Sequence, residues 1–326
     1  MSCPKPTWAR CYVANCAAKN NQMITLPSGV HFFERGWLSS NNILLTDESQ
    51  AVLVDTGYWS HEEQTQALVQ QALGQQPLTH IINTHLHSDH CGGNAHLQTR
   101  YPMVETWIPP GHAEHVFNWD PAHLTFVATG QHCPQFVANQ VISPGSVFTV
   151  NGLEWQTLAA PGHDPHALLL FCPSASLLIS ADALWENGFG VVFPELEGIH
   201  AFQEVADTLD LIESLQVATV LPGHGKPFTD VAQALKRARS KLAMYQSDPQ
   251  KHALYAAKVL LKFKLLEFQH IDLSAFTTWA QSSSYLIDLH AQYARVQTFQ
   301  SWMDTLCDSL IKSGVAHRDG MLISNV

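Results

Sequence analysis

Four side chains able to bind a metal fall within six residues: His85, His87, Asp89 and His90, in the run Thr84-His85-Leu86-His87-Ser88-Asp89-His90-Cys91-Gly92-Gly93. Alternate residues of an extended segment project to the same side, so His85 and His87 can share one ion. The chain must then turn, which lets Asp89 and His90 face a neighbouring position. Gly92-Gly93 supplies the backbone freedom for a sharp turn and a close approach. Histidine is the commonest metal ligand and a frequent acid–base group, and this chain has 19 of them in 326 residues.

Three further segments follow the same logic: Pro161-Gly162-His163-Asp164, Ser180-Ala181-Asp182-Ala183 and Pro222-Gly223-His224-Gly225. Each sets a His or Asp just beyond a short apolar run. A single Pro-Gly-His is ordinary turn chemistry; two of them, a strand-end Asp and the His-rich loop together point to a metal centre. The donors are nitrogen and oxygen without sulfur, which suits Zn²⁺ and also admits Fe or Mn. A bound dication lowers the pKa of water from about 15.7 to about 7, so hydroxide forms near neutrality without a protein nucleophile. No GxSxG elbow, P-loop or GxGxxG competes with that chemistry.

These residues must be held by strands. Val30–Phe33, Asn42–Leu45 and Ala51–Val54 are short apolar runs separated by polar or Gly-containing segments, and the third ends in Asp55-Thr56-Gly57. A helix is expected from Ser60, capped by Ser60 with Glu63 completing a capping box. Leu68, Val69, Ala72 and Leu73 form its apolar face, and Gly74 ends it. A buried strand from Leu78 to Asn83 runs directly into the His-rich loop. Further strands are read at 147–150, 155–158, 168–171 and 177–179. A helix with Phe202, Val205, Leu209 and Ile212 on one face then precedes a strand at Val217–Leu221. Strands on both sides of helical crossovers predict an α/β sandwich. A basic helix over 229–245 is broken by Ser247-Asp248-Pro249. This divides the chain into a catalytic domain, 1–246, and a mainly helical domain, 247–326. A helix at Trp302–Lys312 followed by Asp319-Gly320 between apolar stretches predicts a hairpin and a winged-helix-like end.

Composition narrows the partners. Acidic residues number 28 against 17 basic, a net charge of −11, which disfavours nucleic acid and anionic membrane as partners. No apolar run approaches the roughly 20 residues that cross a bilayer. The seven cysteines are odd in number and unpatterned; Cys3, Cys11 and Cys16 match no common zinc knuckle. With no apolar h-region behind Met1-Ser2-Cys3-Pro4-Lys5-Pro6, the thiols read as reduced and the protein as cytoplasmic.

Over about residues 25–230, the motifs and their order resemble the metallo-β-lactamase-fold hydrolase superfamily, including its glyoxalase II-like, dinuclear HxHxDH members. The resemblance implies an αββα sandwich with two divalent metal ions at one edge. Carried over motif by motif, it implies that His85, His87 and His163 bind the first ion, Asp89, His90 and His224 the second, and that Asp182 bridges them. Asp55 matches an outer acid that orients a metal-bound His. It implies catalysis at Asp89 and Asp182 through a hydroxide shared by the ions, acting on a small ester, thioester or lactone. The alternatives it leaves are a phosphodiesterase or ribonuclease of the same fold, and a mononuclear-iron dioxygenase acting on thiols or persulfides. The complete second-ion set argues against the single-iron reading. A binding protein that kept the metals and lost turnover is a third class. His166, His112, His115 and Tyr58 are candidate pocket residues, and the weakly charged stretch from Trp185 to Pro194 suits a lid or pocket wall. Cys91 reads as a small packing residue. Lys236, Arg237 and Arg239 read as a solvated helix face, with RNA contact as the sharper alternative.

Overall fold

The computed structural model describes residues 24–326; Cys3, Cys11, Cys16 and the N-terminal segment lie outside the described residues. Six strands form the first sheet, in sequential order: β1 (Val30–Phe33), β2 (Asn42–Thr46), β3 (Ala51–Val54), β4 (His80–Ile82), β5 (Glu105–Ile108) and β6 (Gln140–Val141). The second sheet has β7 (Val147–Val150), β8 (Leu153–Ala159), β9 (Leu168–Cys172), β10 (Leu177–Ala181) and β11 (Thr219–Pro222), ordered β11-β10-β9-β8-β7. Strands β3, β4, β5 and β6 pair in parallel, as do β10 and β11.

Strand alternation explains the layers. Ile43, Leu45, Val52, Val54 and Ile82 face the second sheet and meet Trp155, Leu170 and Ile179 in a shared core. Their neighbours Leu44, Leu53 and Ile81 point the other way. They are covered by α1 (Glu62–Leu73) and α3 (Asn94–Arg100), with the one-turn α2 (Ser88–Cys91) between them in sequence. Short helices α4 (Ala113–Phe117) and α5 (Thr125–Thr129) lie between β5 and β6, with Thr129 of α5 lining the pocket, and α6 (Phe193–Leu196) follows the loop after β10. The outer face of the second sheet is covered by α7 (Phe202–Ser214) and α8 (Val231–Ser247) through Val205, Leu209, Ile212, Leu235 and Leu242. The architecture is therefore helix–sheet–sheet–helix, the predicted αββα sandwich.

The break at 247–249 falls between α8 and α9 (Pro249–Phe268). Beyond it lie α10 (Leu273–Ala280), α11 (Ser284–Tyr293) and α12 (Phe299–Lys312). Strand β12 (His270–Asp272) joins the terminal hairpin β13 (Ala316–Asp319) and β14 (Leu322–Asn325) in an antiparallel sheet ordered β12-β14-β13. The hairpin turns at Gly320, whose φ of 58° suits glycine. This is the helical, winged-helix-like extension expected from the sequence, with its own core around Leu260, Leu261, Phe276, Leu286, Met303 and Leu306.

One local expectation fails. A tight turn over Trp59–His61 moves the start of α1 to Glu62, and no side chain caps the helix, so the Ser60–Glu63 capping box does not form. Strand β4 is also shorter than the apolar run that announced it, because Asn83 and Thr84 already belong to the turn into the site.

Candidate metal centre

The metal-competent residues converge where the strands of both sheets end. Strand β3 hands over to Asp55, which sits in the left-handed region at φ 58°. This costly conformation is tolerated because the carboxylate is fully used. Asp55 Oδ1 accepts the Thr84 N–H at 2.8 Å, and Oδ2 accepts the Thr84 hydroxyl at 2.8 Å and faces His90 Nδ1 at 2.7 Å. One buried acid thereby pins both the entry to the His-rich loop and the His90 ring, with Nδ1–H as donor. His90 Nε2 is left to face the site, buried and without a hydrogen-bond partner.

The other ligands are aimed by equally specific contacts. His163 Nδ1 donates to the Val191 carbonyl at 2.5 Å, which leaves Nε2 as the acceptor nitrogen facing the site. The ring leaves no room at residue 190, where an added Cβ would sit 2.3 Å from His163 Nδ1; only glycine fits. At the end of β10, Ala181 takes a left-handed φ of 45° and projects Asp182 into the cluster. Gly223 is likewise obligatory, since a Cβ there would lie 2.3 Å from Asp182 Oδ1. Asn41 holds the loop carrying His224: its side-chain amide donates to the carbonyls of Pro222 at 2.9 Å and Gly225 at 2.8 Å.

Two separate donor sets result, linked by a third group, His85, His90 and Asp182, that shares a histidine with each. His85, His87 and His163 offer ligand atoms within 4.8 Å of one another, and so do Asp89, His90 and His224. His87 Nδ1 and His163 Nε2 are 2.9 Å apart, and His224 Nε2 is 3.1 Å from Asp89 Oδ2. Asp182 lies between the sets, with Oδ1 3.5 Å from His90 Nε2 and Oδ2 3.4 Å from His163 Nε2 and 3.8 Å from His224 Nε2. His85 Nε2 is also buried without a partner. Buried polar atoms are almost always hydrogen-bonded, so several imidazole nitrogens aimed at one point, unsatisfied, fit divalent cations. The electrostatics agree. Burial holds the His85 and His163 imidazoles below their ordinary range and His87 at about 4, so these rings are neutral and free to ligate. Burial also opposes charge on His90, but Asp55, Asp182 and Asp89 outweigh it and push it well up, so without a metal the ring holds a second proton, on Nε2, which a bound ion would displace. Burial raises Asp182, yet His224 and His90 hold it well below the usual carboxylate range.

All seven ligand candidates and Asp55 thus lie together. Other sequence candidates lie elsewhere. Tyr58 is fully buried, its hydroxyl accepts the His132 N–H at 3.2 Å and its ring meets Phe263; it anchors α9 rather than facing the pocket. His166 packs on His112, ring centroids 5.0 Å apart, against Gly111. His115 joins Asp120 and His123 in a separate, more exposed cluster. Cys91 is buried, 3.8 Å from the Cys133 sulfur. Arg239 pairs with Asp210 and Glu213, and Arg237 donates to the Glu186 carbonyl, as a solvated helix face does.

Several residues not singled out individually in the sequence also reach the site. Asp164 is buried, with Oδ2 3.8 Å from His87 Nε2. Trp185 donates its indole N–H to Asp182 Oδ1 at 3.2 Å, and Trp37 stacks on His224, centroids 5.3 Å apart. A pocket of about 590 Å³, open mouth included, lies above the ligands, and α9 supplies part of its wall. The stretch after Asp182 serves as pocket wall through Trp185, Val191 and Phe193.

Comparison with known proteins agrees with this geometry. The family described as the metallo-beta-lactamase superfamily matches residues 35–224. The chain is 30% identical over 198 residues to metallo-beta-lactamase domain-containing protein 1 of Xenopus laevis, covering 58% of this chain and 72% of that one. It is 27% identical over 215 residues to a hydroxyacylglutathione hydrolase of Xylella fastidiosa, covering 66% and 70%. In structure it resembles a metallo-beta-lactamase family protein of Thermus thermophilus, with a TM-score of 0.54 and 18% identity, covering 93% of this chain and all of that one.

Proposed function

Because this chain belongs to the metallo-beta-lactamase superfamily, we propose that it is a dinuclear metallohydrolase that cleaves a small ester, thioester or lactone. His85, His87 and His163 would hold one divalent ion and Asp89, His90 and His224 the other, with Asp182 shared between them. Zinc suits the nitrogen–oxygen donor set best, with iron or manganese as substitutes. Such ions, when bound, supply Lewis acidity, acidifying water and drawing electron density from a scissile carbonyl.

The rest of the chemistry belongs to the chain. Asp55 keeps the proton on His90 Nδ1, so that Nε2 presents its lone pair. The Val191 carbonyl does the same for His163. Trp185 donates to Asp182 Oδ1 and limits its rotation. The apolar walls exclude bulk water, which strengthens every charge interaction inside. The observation that carries the reading is the position of Asp182, within 4 Å of ligand nitrogens from both sets.

The boundary at 246/247, with a catalytic unit before it and a helical unit after it, belongs to the same proposal. So does a reducing, cytoplasmic setting, which the unpaired Cys91, Cys133, Cys172 and Cys307 support. Among the described residues, no helix is long and apolar enough to cross a membrane.

The test is to load the purified protein with zinc or manganese, count ions by elemental analysis, and screen thioesters, lactones and bis-p-nitrophenyl phosphate. The expected result is two ions per chain and turnover of acyl substrates. Failure on every acyl substrate with metal bound rejects the reading. Selective phosphodiester cleavage, or oxygen consumption by an iron form, would replace it.

A further inference from the structure

The pocket has two unlike sides. Its floor is the cluster of imidazoles and carboxylates. Its opposite wall comes from α9, through Tyr255, Val259, Leu260 and Phe263, with Trp37 and Trp185 at the edge. This wall belongs to the C-terminal extension, so the extension shapes what the site can hold.

Among the described residues, no Lys or Arg side chain lines the pocket, and Lys241 and Lys264, the cations nearest its wall, are already engaged. Lys241 lies behind the wall, 4.2 Å from the Tyr255 ring centroid, and its ammonium donates to the Phe189 carbonyl at 2.9 Å. Lys264 pairs with Glu267 at 2.7 Å and donates to the Gly130 carbonyl. Lys226, two residues past His224, is exposed and does not line the pocket. Four carboxylates, Asp55, Asp89, Asp164 and Asp182, surround the cluster. Two dications would therefore be formally neutralised by the chain itself and leave no surplus positive field for an anionic substrate tail.

Resting on the hydrolase reading above, we propose that the site takes neutral esters or thioesters whose apolar acyl group lies against α9. It discriminates against substrates with an anionic arm, whether a phosphodiester or a carboxylate-bearing thiol carrier. In the reaction, water's hydroxyl joins the acyl carbon, the C–S or C–O bond breaks, and the remaining proton goes to the departing thiol or alcohol. The acyl chain gains from leaving water, about fourfold in affinity per buried methylene. A carboxylate in the same place loses its hydration and meets no cationic side chain among the described residues; the polar groups of the lining, Thr129, Gln131 and Tyr255, are uncharged.

Two matched pairs test this on the zinc-loaded full chain. The first is p-nitrophenyl pentanoate against the p-nitrophenyl monoester of glutaric acid, compared by kcat/KM. The second is their uncleaved anilides, N-phenylpentanamide and glutaric monoanilide, compared by titration calorimetry. We expect the neutral member to be preferred by about 30-fold or more in both, the penalty for an unpaired buried carboxylate. Val259→Arg should cut that ratio by about tenfold through a new charge partner. Equal or better use of the anionic member by the wild type, or binding of neither anilide, overturns the proposal. So does an unchanged ratio in a Val259→Arg protein that keeps the wild-type melting temperature. If that variant does not fold, the wild-type ratios decide. Binding of only the neutral anilide without cleavage of any ester would sink the hydrolase reading and leave this inference standing.

Discussion

Asp55 and Asp182 carry different burdens, and single substitutions separate them. Asp55→Asn keeps an oxygen for one of the groups now served by the carboxylate, but its NH2 cannot accept the His90 Nδ1 proton. His90 would then favour the wrong tautomer. Zinc should still bind, about 10–100-fold more weakly, as when other outer hydrogen-bond partners of a metal ligand are lost; a competitive chelator titration reads this. Asp182→Ala removes the anion between the two donor sets, so elemental analysis should fall from two ions towards one. Unchanged stoichiometry and affinity in both variants would contradict the assigned roles. At this scale the site was largely legible, because His85-x-His87-x-Asp89-His90 concentrates its donors in one loop and the two Pro-Gly-His segments repeat the theme. Trp185 was legible only as part of a pocket wall, and Asp164, Trp37 and Asn41 were not legible as site residues. Each acts on a partner that only the fold brings near, as Asn41 does on carbonyls of residues 222 and 225.

Elements dock through polar contacts that apolar periodicity does not announce. Helix α9 falls in the region expected to be mainly helical, yet its seat against the first unit depends on His252. The Val192 N–H donates to His252 Nε2 at 3.1 Å, which requires a neutral ring. Burial, with the Lys241 charge adding to it, lowers the His252 pKa to about 4. Above pH 6.5 neither the folded nor the unfolded form carries the proton, and the group has no effect. As pH falls from 6.5 towards 4, the unfolded chain takes up a proton that the folded one refuses, and stability is lost by about 1.4 kcal/mol per pH unit. His252→Gln keeps an acceptor for Val192 and has no such proton to gain. Melting temperatures of the zinc-loaded proteins should therefore diverge across this window, the wild type falling more steeply. Parallel curves would show that His252 is charged or exposed in the native state. The failed capping box at Ser60 teaches a related lesson: a local signal is overridden when tertiary contacts, here the burial of Tyr58 against Phe263, draw the preceding residues into a tighter turn.

At the scale of the whole molecule, the catalytic unit and the helical extension share too many contacts to melt separately. Trp279 and Lys264 both donate to the Gly130 carbonyl, and Ser283 donates to that of Ala128, all in the segment beside the pocket. Val191, next to the Gly190 that cradles His163, packs into the core of the extension. Ions bound by the ligand cluster would therefore stabilise the extension as well, although none of the proposed ligands lies in it. Free zinc at 100 times its dissociation constant adds about 2.7 kcal/mol to the folded state per independent site. For a single unit of roughly 300 residues each kcal/mol moves the melting temperature by about 1–2 °C. Calorimetry should show one transition that shifts upward as a whole on metal addition and downward on chelation. Two transitions, with only the first responding to metal, would mean that the extension stands apart, and its helix α9 could not serve as a fixed wall for substrate.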